Sequence, residues 1–454
     1  MDNLMKYQLL RDTYPSFTYH NYTFDVTNHS LHITYHFTID GLACFKPSWT
    51  IPLANQTIDC NDPLLHRYIF SLGLVELVSY WKISCAKKVY VNCGSLDQAQ
   101  IKWFKKLYYH GLGEFFYING IEESMDTFME IIASNTSSAH LDCTKDVFGQ
   151  LIPFGGGKDS YVSAHILKES TPNYAYVIND VISAVNAVNV AGYDDRFIHV
   201  HRTLDPVMLQ LNKEGNYLNG HTPFSALVAF SSVLVSYIYG IENICLSNES
   251  SANESTIAGK TINHQYSKTY EFEADFKWYN ENYLYGNIHY FSFLRPLNEL
   301  QIAALFTSFK KYLTEFRSCN VGSKQGIWCG HCAKCCFVAM ILAAFVDDQT
   351  LIDVFGHDMF NDESLIPLFD ALIGVEKDKP FECVGTRKEV QAACILALQR
   401  RDPSHYPLVL NRYTNLLEHT NIVDEILHQK NTVHFVPENL YAILDKTMKG
   451  NQLW

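Results

Sequence analysis

The chain has 454 residues, 47% hydrophobic and 18% charged, enough for two or three domains with a sizeable core and too apolar for a mainly disordered chain. With 35 basic against 48 acidic residues its formal net charge is -13, which argues against general nucleic-acid binding, where a basic surface carries the affinity. Met1 to Lys6 has no basic stretch leading into an apolar one, so no signal peptide is expected, and mostly scattered cysteines suit a reducing, cytoplasmic setting.

Residues 17 to 40 read as a hairpin: Tyr22, Phe24 and Val26 alternate with polar residues, Asn28-His29-Ser30 turns, and Leu31, Ile33, Tyr35, Phe37 and Ile39 alternate again. A helix is predicted over Pro63 to Trp81, a strand over Lys88 to Val91 and a helix over Gln98 to Leu107, so residues 1–145 form an α+β domain. The pattern then becomes βαβ. Strands at Val147 to Phe154, Tyr174 to Ile178, Phe197 to Val200 and Asn243 to Leu246 alternate with helices, implying an α/β domain over 146–318 with a parallel sheet covered on both faces. Thr222 to Ile241 carries no charge and is long enough to span a bilayer, but its four serines and lack of flanking Lys or Arg clusters favour a buried helix packed on a sheet, with no membrane role. A cysteine group occupies 319–336, and 337–454 reads as mostly helical, with helices near 337–346, 363–374, 386–400 and 422–429.

Between the first parallel strand and its helix lies Phe154-Gly155-Gly156-Gly157-Lys158-Asp159-Ser160. Consecutive glycines let backbone N–H groups close on an anion, and the following helix points its positive end at the same place. Lys158 adds a charge and Ser160 a hydroxyl, while Asp159 either caps the helix or helps hold Mg2+ on phosphates. The spacing is neither that of the Walker A loop nor that of the Rossmann fingerprint.

Cys319, Cys329, Cys332 and Cys335 have the spacing C-x9-C-x2-C-x2-C, which suits a closed, structural Zn2+ site, with His331 and Cys336 as spare ligands. A redox pair or four unmetalled core thiols are the alternatives. His221, in Asn219-Gly220-His221, either serves function or merely enters the uncharged helix. Asn248 and Glu249 follow the fourth parallel strand, where substrate or metal contacts concentrate, although Glu249 also reads as a surface charge. Asn263, His264 and Lys268 lie in a polar run suited to a sugar-nucleotide or peptide, or in a plain solvated loop. Arg295 is placed to clamp a carboxylate or phosphate, or to pair with Glu299 four residues on. Cys383 is a proton-transfer candidate, with a buried small hydrophobe as the favoured reading.

The glycine loop resembles the S-G-G-x-D-S loop of PP-loop ATP pyrophosphatases, with Gly155 where that superfamily usually has Ser, and the cysteine group resembles the zinc knuckle of 7-cyano-7-deazaguanine synthases. A longer succession of strings is similar to the MurL family of UDP-N-acetylmuramoyl-L-alanyl-L-glutamate epimerases. These are Gly73 to Leu77, Gly111 to Tyr117, Pro153 to Ser160, Asn219 to His221, Ser247 to Glu249, Asn263 to Glu271, Leu294 to Leu297, Trp328 to Gly330 and Lys379 to Thr386. The resemblance implies a PP-loop (adenine nucleotide alpha hydrolase-like) domain and ATP-dependent inversion of the terminal L-Glu of UDP-MurNAc-L-Ala-L-Glu. ATP would go to AMP and pyrophosphate, in peptidoglycan precursor synthesis. It further implies phosphate binding at Gly155, Gly156, Gly157, Lys158, Asp159 and Ser160, and substrate contacts at Asn219, Asn248, Glu249, Asn263 and Arg295. Lys158 and Asp159 would act on the phosphates, His221, His264, Lys268 and Cys383 supply the acid/base candidates, and a D-Glu-adding or L-Glu-adding ligase is the expected functional partner. A PP-loop ligase or amidating or thiolating synthase, and a non-catalytic nucleotide-binding protein, share the loop and are the competing functions.

Overall fold

The computed structural model describes residues 2–134, 145–168, 170, 172–253, 266–322, 325–377, 379–380, 382 and 384–453. Asn263, His264 and Cys383 lie outside the described residues. The protein is mixed α/β. Its described strands are β1 (Ser16–Thr27), β2 (Ser30–Ile39), β3 (Ala43–Phe45), β4 (Ser48–Pro52), β5 (Lys88–Ser95), β6 (Glu130–Ser134), β7 (Gln150–Pro153), β8 (Asn173–Ile178), β9 (Phe197–Thr203), β10 (Asn243–Leu246) and β11 (His289–Ser292). Two compact units divide the chain: Met1–Leu151, Ile198–Ile244 and Gln265–Tyr290 in the first, Ile152–Phe197, Cys245–His264 and Phe291–Trp454 in the second. Both are discontinuous and cut across the linear segments 1–145 and 146–318.

In the first unit β1 and β2 pair antiparallel from Phe17 opposite Ile39 to Thr27 opposite Ser30. Their two-residue turn is Asn28-His29, with φ of 49° and 56°, the left-handed pair that a type I′ hairpin needs. Leu31, Ile33, Tyr35, Phe37 and Ile39 are buried in the alternation their spacing predicts. β1 also pairs parallel with β5, β5 parallel with β6, and β2 antiparallel with β3 and β4. β9 also pairs antiparallel, with β4, through Ser48 to Thr50. β7 and β10 are parallel neighbours at Gln150 and Leu151.

The helix Pro63–Trp81 starts on an Asp62 side-chain cap with proline in its first turn and buries nearly every residue. Gly73 lets it close on the sheet, since a Cβ there would stand 2.2 Å from Tyr19 Oη. The uncharged helix, Phe224–Tyr239, is 16 residues long and packs on Pro63–Trp81. No described helix is long and apolar enough to cross a membrane.

In the second unit the Phe154 N–H donates to Tyr176 O at 2.8 Å, joining the end of β7 to β8, and the Phe293 N–H donates to Leu246 O at 2.7 Å. The helix Ala333–Ala343 is buried along its whole length. It packs against the helices Glu299–Ser308, Asp348–Phe355, Ile366–Ile373 and Arg387–Gln399. A helix apolar all round belongs at the centre of such a layer. Its neighbours bring the starts of two helices, at Glu299 and at Arg387, to one place.

Candidate functional site

The glycine loop ends β7 and opens the helix Lys158–Leu167. Gly156 has φ +81°, and a Cβ there would lie 2.6 Å from the Ser183 carbonyl carbon, so glycine is required twice over. Its carbonyl accepts the Arg317 N–H at 2.8 Å, which fixes the turn. Gly157 is the N-cap and no side chain caps the helix. Asp159 is therefore not the helix cap, one of its two expected roles: it sits in the first turn, where its side chain reaches Lys158. The Ser160 hydroxyl donates back to Gly157 O at 2.9 Å. An uncapped helix start behind three glycines is a physically sound anion seat.

Lys158 is buried, and its ammonium donates to Asp159 Oδ1 and to Glu299 Oε2. Its side chain and that of Glu299 are each 3% exposed. A third carboxyl lies behind them: Glu389 Oε1 accepts the Glu299 N–H at 2.8 Å, and Oε2 accepts the Thr386 N–H. Gly385 makes room, since a Cβ there would come 2.8 Å from Glu389 Oε2 and 3.2 Å from Glu299 Cγ. Glu299 and Glu389 both occupy first turns of helices, where the helix dipole favours negative charge by about 0.3–1 kcal/mol. Removing a carboxylate from water costs several kcal/mol, so burial prevails.

The titration directions agree with that ranking. Burial, with Asp159 and Glu249 adding negative charge, pushes Glu299 well above the ordinary carboxylate range, although Lys158 and Lys334 pull the other way. Burial and the nearby Glu299 likewise raise Glu389 against two backbone hydrogen bonds that stabilise its charged form. Burial alone would lower Lys158, but Asp159 and Glu299 together outweigh it and raise the lysine. These directions pull apart within the Lys158–Glu299 contact, since a charged lysine favours an ionised partner. The lysine's direction is the firmer one because two acidic groups touch it, and the surplus of carboxyls over ammonium is then what lifts Glu299.

Arg295 is fully buried beside the loop after β10. Its Nη1 donates to Glu249 O at 2.6 Å and its Nη2 to Ser292 Oγ at 3.1 Å, so both donors hold protein. Asn248 Nδ2 donates to the same Ser292 hydroxyl at 3.1 Å, and Ser247 Oγ meets Ser163 Oγ at 2.8 Å. This network leaves Glu249 half-buried at the end of the strand.

Asn219, His221 and Lys268 fall in the first unit. There the strings Gly111 to Tyr117 and Asn219 to His221 meet: a Cβ on Gly220 would touch Phe115 at 3.0 Å, and His221 Nδ1 lies 3.9 Å from Glu114 Oε2. Lys82 Nζ donates to Gly220 O at 2.8 Å and fixes this loop. Asn219 is exposed and accepts its neighbour's Gly220 N–H, while Lys268 is half-buried in a 3-10 turn.

The four cysteines converge. Cys319 and Cys332 sulfurs are 3.9 Å apart, Cys329 and Cys335 3.7 Å, and Cys332 and Cys335 3.5 Å. Thiolates on a tetrahedral zinc with 2.3 Å bonds stand about 3.8 Å apart, so the donor set fits that ion. Backbone N–H groups of Gly322 and Cys329 point at Cys319 Sγ, and that of His331 at Cys329 Sγ, which suits thiolate charge.

Glu299 and Glu389 were missed as site residues. The Thr386-x-x-Glu389 capping box is visible in sequence, but it signals only a helix start. Lys334, buried with its ammonium 5.1 Å from the centre of the Phe337 ring, adds a second positive charge acting on Glu299.

The sequence model described as MurL N-terminal domain matches residues 8–293, and that described as MurL C-terminal domain matches 315–425. Three relatives bear the name UDP-N-acetyl-alpha-D-muramoyl-L-alanyl-L-glutamate epimerase. The one from Xanthomonas oryzae pv. oryzae is 31% identical over 75% of this chain and 77% of its own length. The one from Micromonospora sp. is 32% identical over 85% and 87%, and the one from Salinispora tropica 32% over 84% of each.

Proposed function

Since this chain belongs to the MurL family, we propose that it is an epimerase that converts the terminal L-Glu of UDP-MurNAc-L-Ala-L-Glu to D-Glu, at the expense of ATP, in peptidoglycan precursor synthesis. The substrate follows the relatives' name, and the use of ATP is our reading of the glycine loop as a PP-loop. The observation that supports it is Lys158: a buried cation behind three glycines, at an uncapped helix start, surrounded by more carboxyls than it can neutralise.

The chemistry explains why a nucleotide is needed. The α C–H beside a carboxylate is a very weak acid, because its removal adds charge to charge. In the proposed reaction the α-carboxylate oxygen attacks the α-phosphorus of ATP and the bond to pyrophosphate breaks. The acyl adenylate is uncharged at that carbonyl, so a side chain can take the α-proton and the opposite face can be reprotonated. Water then cleaves the adenylate to give the D-Glu product and AMP. The backbone of Gly155 to Gly157 and Ser160 would hold phosphates, and Lys158 would offset charge growing at the transferred phosphorus. Asp159 and Glu249 would hold Mg2+, which supplies Lewis-acid neutralisation of the phosphates. For the α-proton the candidates are His221, which has Glu114 beside it, and Lys268, with His264 and Cys383.

The test is incubation with ATP, Mg2+ and the UDP-linked dipeptide, followed by chiral analysis of glutamate and assays of AMP and pyrophosphate. D-Glu formed with stoichiometric AMP and pyrophosphate is expected, with solvent deuterium at the α-carbon. D-Glu formed equally well without ATP would remove the adenylation step and leave the epimerase. A new amide or thio product without inversion would point instead to a ligase or thiolating synthase.

The cysteine group is proposed to carry a structural zinc, whose role is to hold the loop 319–335 on the helix that follows. Metal analysis of the purified protein should find zinc that Cys329→Ser loses.

A further inference from the structure

Beside the four thiols, but outside their set, His331, His357 and Asp362 each offer one donor atom, and these atoms lie within 4.8 Å of one another. The three come from separate segments: His331 from the cysteine loop, His357 just after the helix Asp348–Phe355, and Asp362 before the 3-10 turn Glu363–Leu365. Local sequence spacing does not bring them together; tertiary packing does.

Several features make this more than a chance meeting of polar side chains. Gly330 has φ +74°, and a Cβ there would stand 2.1 Å from His357 Cε1, so glycine is what admits this ring against the cysteine loop. The His331 and His357 ring centres are 5.4 Å apart at 31°. His357 Nε2 is buried and has no hydrogen-bond partner among the described residues. A buried ring nitrogen left in that state costs free energy, and a bound cation relieves it. Asp362 is oriented from one side only: its Oδ1 accepts the Ser364 N–H at 3.0 Å and the Ser364 hydroxyl at 2.6 Å. Hydrogen bonds of this kind are what fix a ligating carboxylate. His331 has a divided role, its backbone N–H donating to Cys329 Sγ while its ring faces His357.

We propose that His331, His357 and Asp362 form a second metal site, separate from the four-thiolate site and specific for a divalent transition-metal ion of the zinc–iron class. Two imidazoles and one carboxylate suit such an ion and not a soft one such as copper(I), and three protein ligands leave coordination positions open to water or a ligand oxygen. Metal–ligand bonds of about 2.0–2.2 Å require the donors to draw together by roughly 1.5 Å from their widest separation. The ion would tie the cysteine loop to the 357–362 segment through bonds to both. This inference does not depend on the proposed reaction, and its test reads metal binding alone.

The experiment titrates the untagged, metal-stripped full chain with cobalt(II), reading total bound cobalt together with the thiolate-to-cobalt charge-transfer absorption. Bound cobalt should exceed the thiolate-ligated cobalt by about one ion per chain. His357→Ala and Asp362→Asn should each remove that excess and leave the thiolate absorption unchanged. The proposal is overturned by no excess in the unaltered chain, or by an excess that persists in both variants. Loss of the thiolate absorption in Asp362→Asn would also overturn it, because the two sets would then be one site.

Discussion

In the first unit Glu76 is fully buried on the helix Pro63–Trp81, and every oxygen it has is taken. Arg202 grips it with Nη2 on Oε1 at 2.7 Å and Nε on Oε2 at 2.9 Å, and the Trp49 indole donates to Oε2 at 3.1 Å. In the second unit Lys158 faces Asp159 and Glu299, with Glu389 behind and Glu249 in the same field. The first cluster has one cation, one anion and matched fork geometry. The second has two ammoniums, Lys158 and Lys334, against a surplus of carboxyls, two of them pushed above their ordinary range. A balanced buried pair needs nothing further and serves the fold. An unbalanced one responds to whatever changes its charge, and the proposed Mg2+ with phosphates would be an addition of that kind.

The sharpest way to break this contrast is to remove one partner from each cluster. Glu76→Ala leaves the Arg202 guanidinium buried without its anion, which costs about 3–5 kcal/mol. A large fall in melting temperature is expected, with turnover per folded molecule unchanged. Lys158→Ala should behave in the opposite way. Epimerisation should fall on the order of 10²–10³-fold, the usual effect of deleting a group that stabilises transition-state charge. Its melting temperature should hold, because Glu299 and its neighbours can take up protons when the ammonium is gone. Equal losses of stability in the two variants would mean that Lys158 is a structural pair like Arg202.

The third test uses pH. A carboxyl whose folded pKa lies above its unfolded value gives stability that is full in acid and is lost as pH rises through the folded value. Glu299 is such a group. Lys158 is also raised, but its contribution is lost only above its own alkaline range, so it does not mask the effect. Glu299→Gln should therefore flatten the decline in stability between the ordinary carboxylate range and neutrality. Urea unfolding at several pH values reads the slope, and a slope identical to that of the unaltered chain would put an unshifted carboxylate at this position.

Much of this was legible in sequence where the signal is local. The β1–β2 hairpin follows from the alternation on either side of Asn28-His29, and the helix Pro63–Trp81 from its apolar spacing. The cysteine set follows from spacing alone. What escaped is what depends on distant segments. Arg295 and Glu299 are four apart, but Asn298 caps the helix, so Arg295 lies before its first turn and shares no helical face with Glu299. Its guanidinium turns to Glu249 O, and Glu299 turns to Lys158. The antiparallel partner of β9 is β4, more than 140 positions earlier, which no alternation of nearby elements reveals. Glu389 is a capping-box residue, but its other oxygen is spent on a helix 90 positions away.

That double duty makes Glu389→Gln the mildest test and the one that separates two explanations. The glutamine keeps the size of the side chain but has one acceptor oxygen, where Glu389 serves the Glu299 and Thr386 N–H groups with two. Losing one such bond costs about 0.5–1.5 kcal/mol. If capping were its whole contribution, that loss would be the same at every pH. Glu389, however, is raised by burial and by Glu299, so its own charge becomes a burden as pH rises. The glutamine is free of that burden. The variant should thus be less stable than the unaltered chain in acid, and the gap should narrow toward neutrality as the carboxylate it replaced would have ionised. A constant gap would make Glu389 a cap and nothing more.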